Sequence, residues 1–289
     1  MMKIREEKLE QIIQWAENNP DIRAVLLTSS LVNPYAPVDD LSDLDVELVF
    51  ESRKDYESGN SWLQLFGDPI SMIEEDDTVF EGRHAMKMVL YRDHVKVDFK
   101  LYQVSEFMEE VQKGALPEDW DVGYKVLIDK DGLTKDLKPP TYQSIMIHKP
   151  DEKEFQQLMN DFWWDTTYVA KCLKRGDIFY AKFMSENILR AEYLVSLVEW
   201  HIGNDHNWDN MTTNKHGRLF KKYLPEDLWS RMEATFSGSS IDENWTALFA
   251  FADLVHELGT ALAQKLNFTY PSKLESDIRT YLLEVKSMP

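Results

Sequence analysis

The chain has one cysteine, Cys172. No internal disulfide can form, and cysteine-based zinc sites are excluded. Positive charge is also scarce. The 32 Lys and Arg stand against 51 Asp and Glu, a formal net charge of -19. A nucleic-acid binder draws its affinity from neutralising phosphates with Lys and Arg, so that class is disfavoured. The acidity suits a small cationic substrate; the plainer account is that it serves solubility alone. By inspection no apolar run is long enough to span a bilayer. The first residues, Met-Met-Lys-Ile-Arg-Glu-Glu, are charged at once and carry no apolar signal core. The expectation is therefore a cytoplasmic protein with no membrane and no nucleic acid among its partners, as a monomer or dimer. There is no internal repeat and no low-complexity segment.

The chain does have apolar material. Its 289 residues are 43% hydrophobic and 12% aromatic, enough for one large or two ordinary domains. The stretch that organises the first half is Leu26-Leu27-Thr28-Ser29-Ser30-Leu31, followed by a turn-rich loop and then Asp43-Leu44-Asp45-Val46-Glu47-Leu48-Val49-Phe50. On a strand, residues i and i+2 share a face. Asp43 and Asp45 therefore project side by side, while Leu44, Val46 and Leu48 face a core. Adjacent carboxylates repel unless a cation sits between them, and a hard divalent ion, most simply magnesium, takes oxygen ligands. The plain alternative is a strand edge on which Asp43, Asp45 and Glu47 face water.

Around this stretch, residues 4–18 read as an amphipathic helix stopped at Asn18-Asn19-Pro20, and Ile22 to Leu27 as a buried strand. Ser29 and Ser30 stand at its end, where hydroxyls and backbone N–H groups can bind an anion. Residues 60–66 suggest a short helix closed by Gly67, and Pro69 to Ile73 a short strand. The acid run Glu74-Glu75-Asp76-Asp77 reads as a solvated loop without a role. Met86 to Tyr91 and His94 to Val104 read as strands. In the second of these, Lys96, Asp98 and Lys100 share the polar face, so Asp98 can join Asp43 and Asp45, or simply pair with Lys96 or Lys100. A short helix over 105–113 and an apolar run from Val122 to Ile128 follow. Pro139-Pro140 and Lys149-Pro150 bracket a linker.

The second half reads as helical. From Asp151 onward, Phe155, Leu158, Phe162, Thr166, Val169 and Leu173 trace an apolar stripe. Asp161, Trp164, Asp165, Tyr168, Lys171 and Arg175 trace another. The acidic and aromatic part suits a polycationic sugar, and the basic part a phosphate. The alternative is a helix packed on both sides. Long helices are expected from about Ile178 to His201 and over 244–266, with a final short one from Pro271. The basic cluster Lys215, His216, Arg218, Lys221 and Lys222 could meet phosphates or balance nearby carboxylates.

A serine pair at a strand end, Asp-x-Asp on the next strand and a third Asp on a later strand make a constellation for nucleotidyl transfer. Attack on an α-phosphate builds charge on the entering and leaving oxygens, which metal ions held by paired carboxylates stabilise. A third carboxylate can bind metal or take the proton of the attacking hydroxyl. With these residues the sequence resembles the aminoglycoside 6-adenylyltransferases (streptomycin adenylyltransferases), within the polymerase-β-like nucleotidyltransferase superfamily. The resemblance runs over nearly the whole chain. It rests on Ser30, Asn33, Asp43-Leu44-Asp45 and Val97-Asp98-Phe99 in the first half. In the second it rests on Phe162-Trp163, Tyr168-Val169-Ala170-Lys171, Arg175, Arg190, Trp200-His201-Ile202 and Lys221-Lys222-Tyr223-Leu224.

The resemblance implies an α+β fold: a mixed-sheet nucleotidyltransferase domain over 1–140 and a helical substrate-binding domain over 141–289. It implies that Asp43, Asp45 and Asp98 bind Mg2+, with Asp98 the candidate base. Ser29, Ser30, Asn33, Lys171 and Arg175 would contact ATP, and Trp164, Asp165 and Tyr168 the aminoglycoside. The implied reaction moves AMP from ATP to the 6-hydroxyl of streptomycin. One departure stands out. The family pattern at the phosphate turn is Gly-Ser-Arg, and this chain has Ser29-Ser30-Leu31. Two rivals stay open: the same chemistry on another acceptor, and a non-catalytic binding protein on the same fold.

Overall fold

The computed structural model describes residues 2–289. The chain divides into two compact units, one ending at Ile145 and the other beginning at Met146. In the first unit six strands form one sheet: β1 (Ile22–Thr28), β2 (Leu44–Phe50), β3 (Pro69–Glu75), β4 (Ala85–Tyr91), β5 (Lys96–Gln103) and β6 (Tyr124–Asp129), in the order β3-β4-β5-β2-β1-β6. Only β2 and β5 run parallel; the other neighbours are antiparallel. β1 and β2 are central, so their apolar residues are buried on both faces.

One face carries Val25, Leu27, Leu44, Val46, Leu48, Val97, Phe99 and Leu101. Against it pack the helix α1 (Met2–Asn18), through Ile12 and Ala16, and a 3-10 turn at Ser61–Phe66, through Trp62 and Phe66. The other face carries Ala24, Leu26, Val49 and Tyr102 and is covered by Phe107 and Trp120. These two come from α3 (Val104–Gln112) and the short α4 (Glu118–Asp121); α2 (Lys54–Ser58) adds Tyr56 to the α1 side, stacked on Phe50.

Arg5 of α1 ties down the loop that leads into β2. Its guanidinium is buried and donates to the carbonyls of Asp39 (2.7 Å) and Ser42 (2.9 Å). Arg5→Met removes both charge-assisted bonds and is expected to cost about 1–3 kcal/mol. Urea unfolding checks this as a lowered midpoint at an unchanged slope.

The acid run at 74–77 is not the solvated loop its composition suggests. Glu74 and Glu75 end β3, and Glu74 accepts from Lys87, a lysine buried on β4 (2.7 Å). Asp76 caps a 3-10 turn through Thr78 N, and Asp77 pairs with buried Arg53 (2.7 Å). Glu74, Asp76 and Asp77 each answer a buried cation or an open N–H, which a run of like letters conceals.

The second unit is helical: α5 (Glu152–Arg175), α6 (Ile178–Phe183), α7 (Val195–Asp205), α8 (Phe220–Tyr223), α9 (Glu226–Glu233), α10 (Ile241–Leu266) and α11 (Ser272–Ser287). An Asp151/Glu154 capping box opens α5, and Gly176 closes it. Its whole expected apolar stripe, Phe155 through Leu173, is buried. The expected helix from Ile178 is continuous to Asp205, but Met184–Leu194 is wound as a π-helix. The final helix has 16 residues and is not short. α10 is long and apolar enough, by length and composition, to cross a membrane, with a mean hydropathy of 1.2 over its best window. This corrects the reading that no such run exists. In the structure Trp245, Leu248, Phe251, Val255 and Leu258 of α10 are buried in this unit's own core.

Candidate active site

Strand register assembles the acidic residues. In the ladders Asp45 lies opposite Thr28 of β1 on one side and Asp98 of β5 on the other, and Glu47 lies opposite Lys100. Paired residues share a face, so Asp45, Asp98, Glu47, Lys100 and Thr28 all project to the side away from α1. Pairing begins at Leu44, one residue later than a strand starting at Asp43 implies, so Asp43 stands just before the ladder.

Two lysines flank the Asp45/Asp98 rung. Lys96 Nζ donates to Asp98 Oδ2 (2.8 Å) and Asp43 Oδ2 (3.1 Å). Lys100 Nζ donates to Glu47 Oε1 (3.1 Å) and pairs closely with Asp119 of α4. The simple pairing of Asp98 with Lys96 is thus realised alongside its approach to Asp45. Glu47 does not face water, as a solvated strand edge requires. It is 0% exposed and accepts from Thr28 Oγ1 (3.0 Å). Burial pushes its carboxyl up to about 7 against the pull of Lys100. Burial, followed by the charge of Asp98, pushes Asp45 up to about 6.

The turn after β1 completes this end of the sheet. Ser29–Val32 form a 3-10 turn, and Asn33 beyond it is buried, its Oδ1 accepting from Tyr35 N (2.8 Å). Gly123, at the entry to β6, has φ +125, and a Cβ there would lie 2.8 Å from the carbonyl oxygen of Val32. Only glycine lets β6 pass this close. Ser29 has φ 62, the left-handed region that costs an L-residue about 1–2 kcal/mol. That is the position where the family pattern has glycine. Leu31, where the pattern has arginine, packs against the core on the α1 side of the sheet. Ser29→Gly is expected to stabilise the protein by up to about 1 kcal/mol, read as a rise of a few degrees in thermal midpoint. A fall would mean the serine side chain contributes more than its backbone strain costs.

The remaining expected contacts are on α5, in the other unit. Trp164 is 62% exposed. Asp165 accepts from Tyr193 Oη (2.7 Å), and Asp161 from Gln157 (2.7 Å). Lys171 Nζ lies 5.1 Å from the centre of the Tyr168 ring. Lys171 and exposed Arg175 make no ion pair among the described residues. Two members of the basic cluster lie against aromatics, Lys221 over Trp229 (5.4 Å) and Lys222 over Tyr223 (5.0 Å).

Among the described residues, no three His, Cys, Asp or Glu side chains converge closely enough to hold a metal ion. The donor set nevertheless fits a hard cation in its chemistry. It is all carboxylate oxygen, Asp98 Oδ1 is buried with no hydrogen-bond partner among the described residues, and Lys96 already places one positive charge between Asp43 and Asp98.

The model of the streptomycin adenylyltransferase family matches residues 2–285. The chain belongs to this family. It is accordingly a nucleotidyltransferase, which implies a nucleotide co-substrate. An aminoglycoside 6-adenylyltransferase of Campylobacter jejuni is 29% identical over 290 residues, covering 99% of this chain and 96% of the relative. One from Bacillus subtilis (strain 168) is 27% identical over 93% and 94%, and one from Staphylococcus aureus 25% over 97% and 98%. The crystal structure of an aminoglycoside 6-adenyltransferase from Bacillus subtilis aligns with 98% of this chain and 99% of its own, at 23% identity and a TM-score of 0.47.

Within this member of the streptomycin adenylyltransferase family, the structure gives Glu47 and Lys100 a closer place beside the expected residues than the sequence reading did, and adds Asp119 and Tyr193, which that reading did not name. Glu47 and Lys100 stand one rung from Asp45 and Asp98, Asp119 answers Lys100, and Tyr193 answers Asp165. Spacing already put Glu47 on the face of Asp45 and Lys100 on that of Asp98; their pairing with each other needs the strand register. Asp119 and Tyr193 come from elements with no such periodic signal.

Proposed function

We propose that this enzyme transfers AMP from ATP to a hydroxyl of an aminoglycoside, with the 6-hydroxyl of streptomycin as the expected acceptor, and that the transfer gives antibiotic resistance. The observation that carries the reading is the β2/β5 register. It sets Asp98 beside Asp45, next to Asp43 and to the strand end that leads into Ser29 and Ser30. The relatives that match over their full length are named for adenylylation at the 6 position of aminoglycosides.

In this reading Asp43, Asp45 and Asp98 hold magnesium. When bound, the ion neutralises charge on the phosphate oxygens during displacement of pyrophosphate. The residues do the rest. Ser29, Ser30 and Asn33 supply hydroxyl, amide and backbone N–H groups to the outer phosphates. Asp98 takes the proton of the acceptor hydroxyl. Lys171 and Arg175 bring positive charge to the nucleotide. Trp164, Asp165 and Tyr168 take the acceptor, whose guanidinium groups suit a carboxylate between aromatic faces.

The test is pyrophosphate release from ATP with magnesium, with and without streptomycin. Streptomycin-dependent release is the expected result. Release with another aminoglycoside but not streptomycin would change the acceptor and keep the chemistry. ATP binding without release, across a panel of acceptors, would favour a binding protein; the strained Ser29 and the uncharged Leu31 support that second reading.

A further inference from the structure

We propose that Lys96 competes with the divalent cation for the carboxylates of Asp43 and Asp98, and thereby couples metal binding to nucleotide binding. The inference rests on the reading that these aspartates hold the metal. Its basis is geometric. The Lys96 ammonium donates to one oxygen of Asp98 at 2.8 Å and one of Asp43 at 3.1 Å, two of the three carboxylates assigned to the ion.

A magnesium ion binds carboxylate oxygen at about 2.0–2.1 Å. An ammonium bridging the same carboxylates occupies the space and the lone pairs the ion needs. The lysine must therefore withdraw for the ion to enter. The neighbouring groups offer it little. Glu47 and Asp119 are already engaged by Lys100. Lys96 is half-exposed, so its ammonium can swing toward solvent. Metal alone thus exchanges two ion pairs for its own bonds and leaves a lysine without a partner.

A polyanionic triphosphate changes this balance. It would reach the same sheet end, at the turn Ser29-Ser30-Leu31, which carries no cationic side chain of its own. The displaced ammonium then gains phosphate oxygens in exchange for carboxylates. Metal and nucleotide each bind better when the other is present, and by linkage the coupling is the same in both directions.

The test uses the whole chain, Mn2+ as a paramagnetic probe and a non-hydrolysable ATP analogue, with no acceptor. Free Mn2+ is read by electron paramagnetic resonance, so turnover is not the readout. Wild type should bind Mn2+ weakly alone and about tenfold or more tightly with the analogue. Lys96→Met should bind Mn2+ alone about tenfold more tightly than wild type, and the analogue should then add less than about threefold. Lys96→Arg keeps the cation and should retain the wild-type coupling. Thermal midpoints confirm that each variant is folded. If Lys96→Met binds Mn2+ no more tightly than wild type and the coupling persists, Lys96 is only a salt-bridge partner and the proposal is wrong. If wild type binds no Mn2+ even with the analogue, the metal assignment of the aspartates fails, and this inference fails with it. The two failures differ in whether wild type binds the ion.

Discussion

Asp45→Asn is expected to lower AMP transfer by about three orders of magnitude or more, a loss of roughly 4 kcal/mol of transition-state stabilisation, while the protein stays folded. The two side chains have nearly the same shape, so packing changes little. What is lost is one of the negative charges assigned to the metal. The stability side of the prediction has a definite sign. Burial and the charge of Asp98 raise the Asp45 carboxyl from 3.8 to about 6. Between those values the folded protein holds a proton that the unfolded chain has released. The Asp45 contribution to stability therefore falls as pH rises through that window, and the penalty is complete above about pH 6. Asparagine carries no such penalty. At pH 8 the variant should melt no lower than wild type, and its melting point should depend less on pH across the window. In the metal-free protein the same shift predicts that metal is taken up less readily as pH drops below about 6, because binding must then displace a proton. A variant that melts normally but keeps full activity would remove Asp45 from the site.

The legible parts of this chain were those encoded by short periods. The alternation through Asp43-Leu44-Asp45-Val46 and Val97-Asp98-Phe99 announced two strands with carboxylates on one face, and the structure has β2 and β5 there. The spacing from Phe155 to Leu173 announced the buried stripe of α5. The rest depends on contacts distant in sequence. Nothing local says that β2 and β5 are parallel neighbours with Asp45 opposite Asp98; that register is set by which apolar faces meet. Glu47 looks like one more solvent-facing acid until Thr28, Lys100 and the cover from α3 and α4 surround it. The π-wound stretch that carries Tyr193 defeats a 3.6-residue period by construction. At the phosphate turn, the departure from Gly-Ser-Arg was visible in the letters, but the left-handed φ of Ser29 was not.

Asp98→Asn separates a direct part in the transfer, as base or metal ligand, from a purely structural one. If Asp98 takes the proton of the acceptor hydroxyl, its loss should lower kcat by about 10²–10⁴-fold, with a much smaller change in KM for ATP. If it serves only as a partner for Lys96, the variant should lose some stability and little turnover. Its surroundings favour the first outcome. Asp98 is 9% exposed and one of its oxygens, Oδ1, is buried with no hydrogen-bond partner among the described residues. A carboxylate kept only for an ion pair has no reason to hold a second oxygen desolvated. Asparagine fits the space and can still offer an oxygen to Lys96, so the ion-pair loss is small; what it cannot do is accept a proton from an alcohol. Lys96→Met provides the comparison. It breaks the same 2.8 Å contact from the other side and leaves the carboxylate in place. Turnover that collapses in Asp98→Asn but survives in Lys96→Met, at saturating metal and ATP, gives Asp98 a direct part in the transfer; a loss in kcat that persists at the highest metal concentrations points to proton transfer rather than metal binding. Equal and modest losses in both variants would assign it a purely structural role and send the search for the base elsewhere.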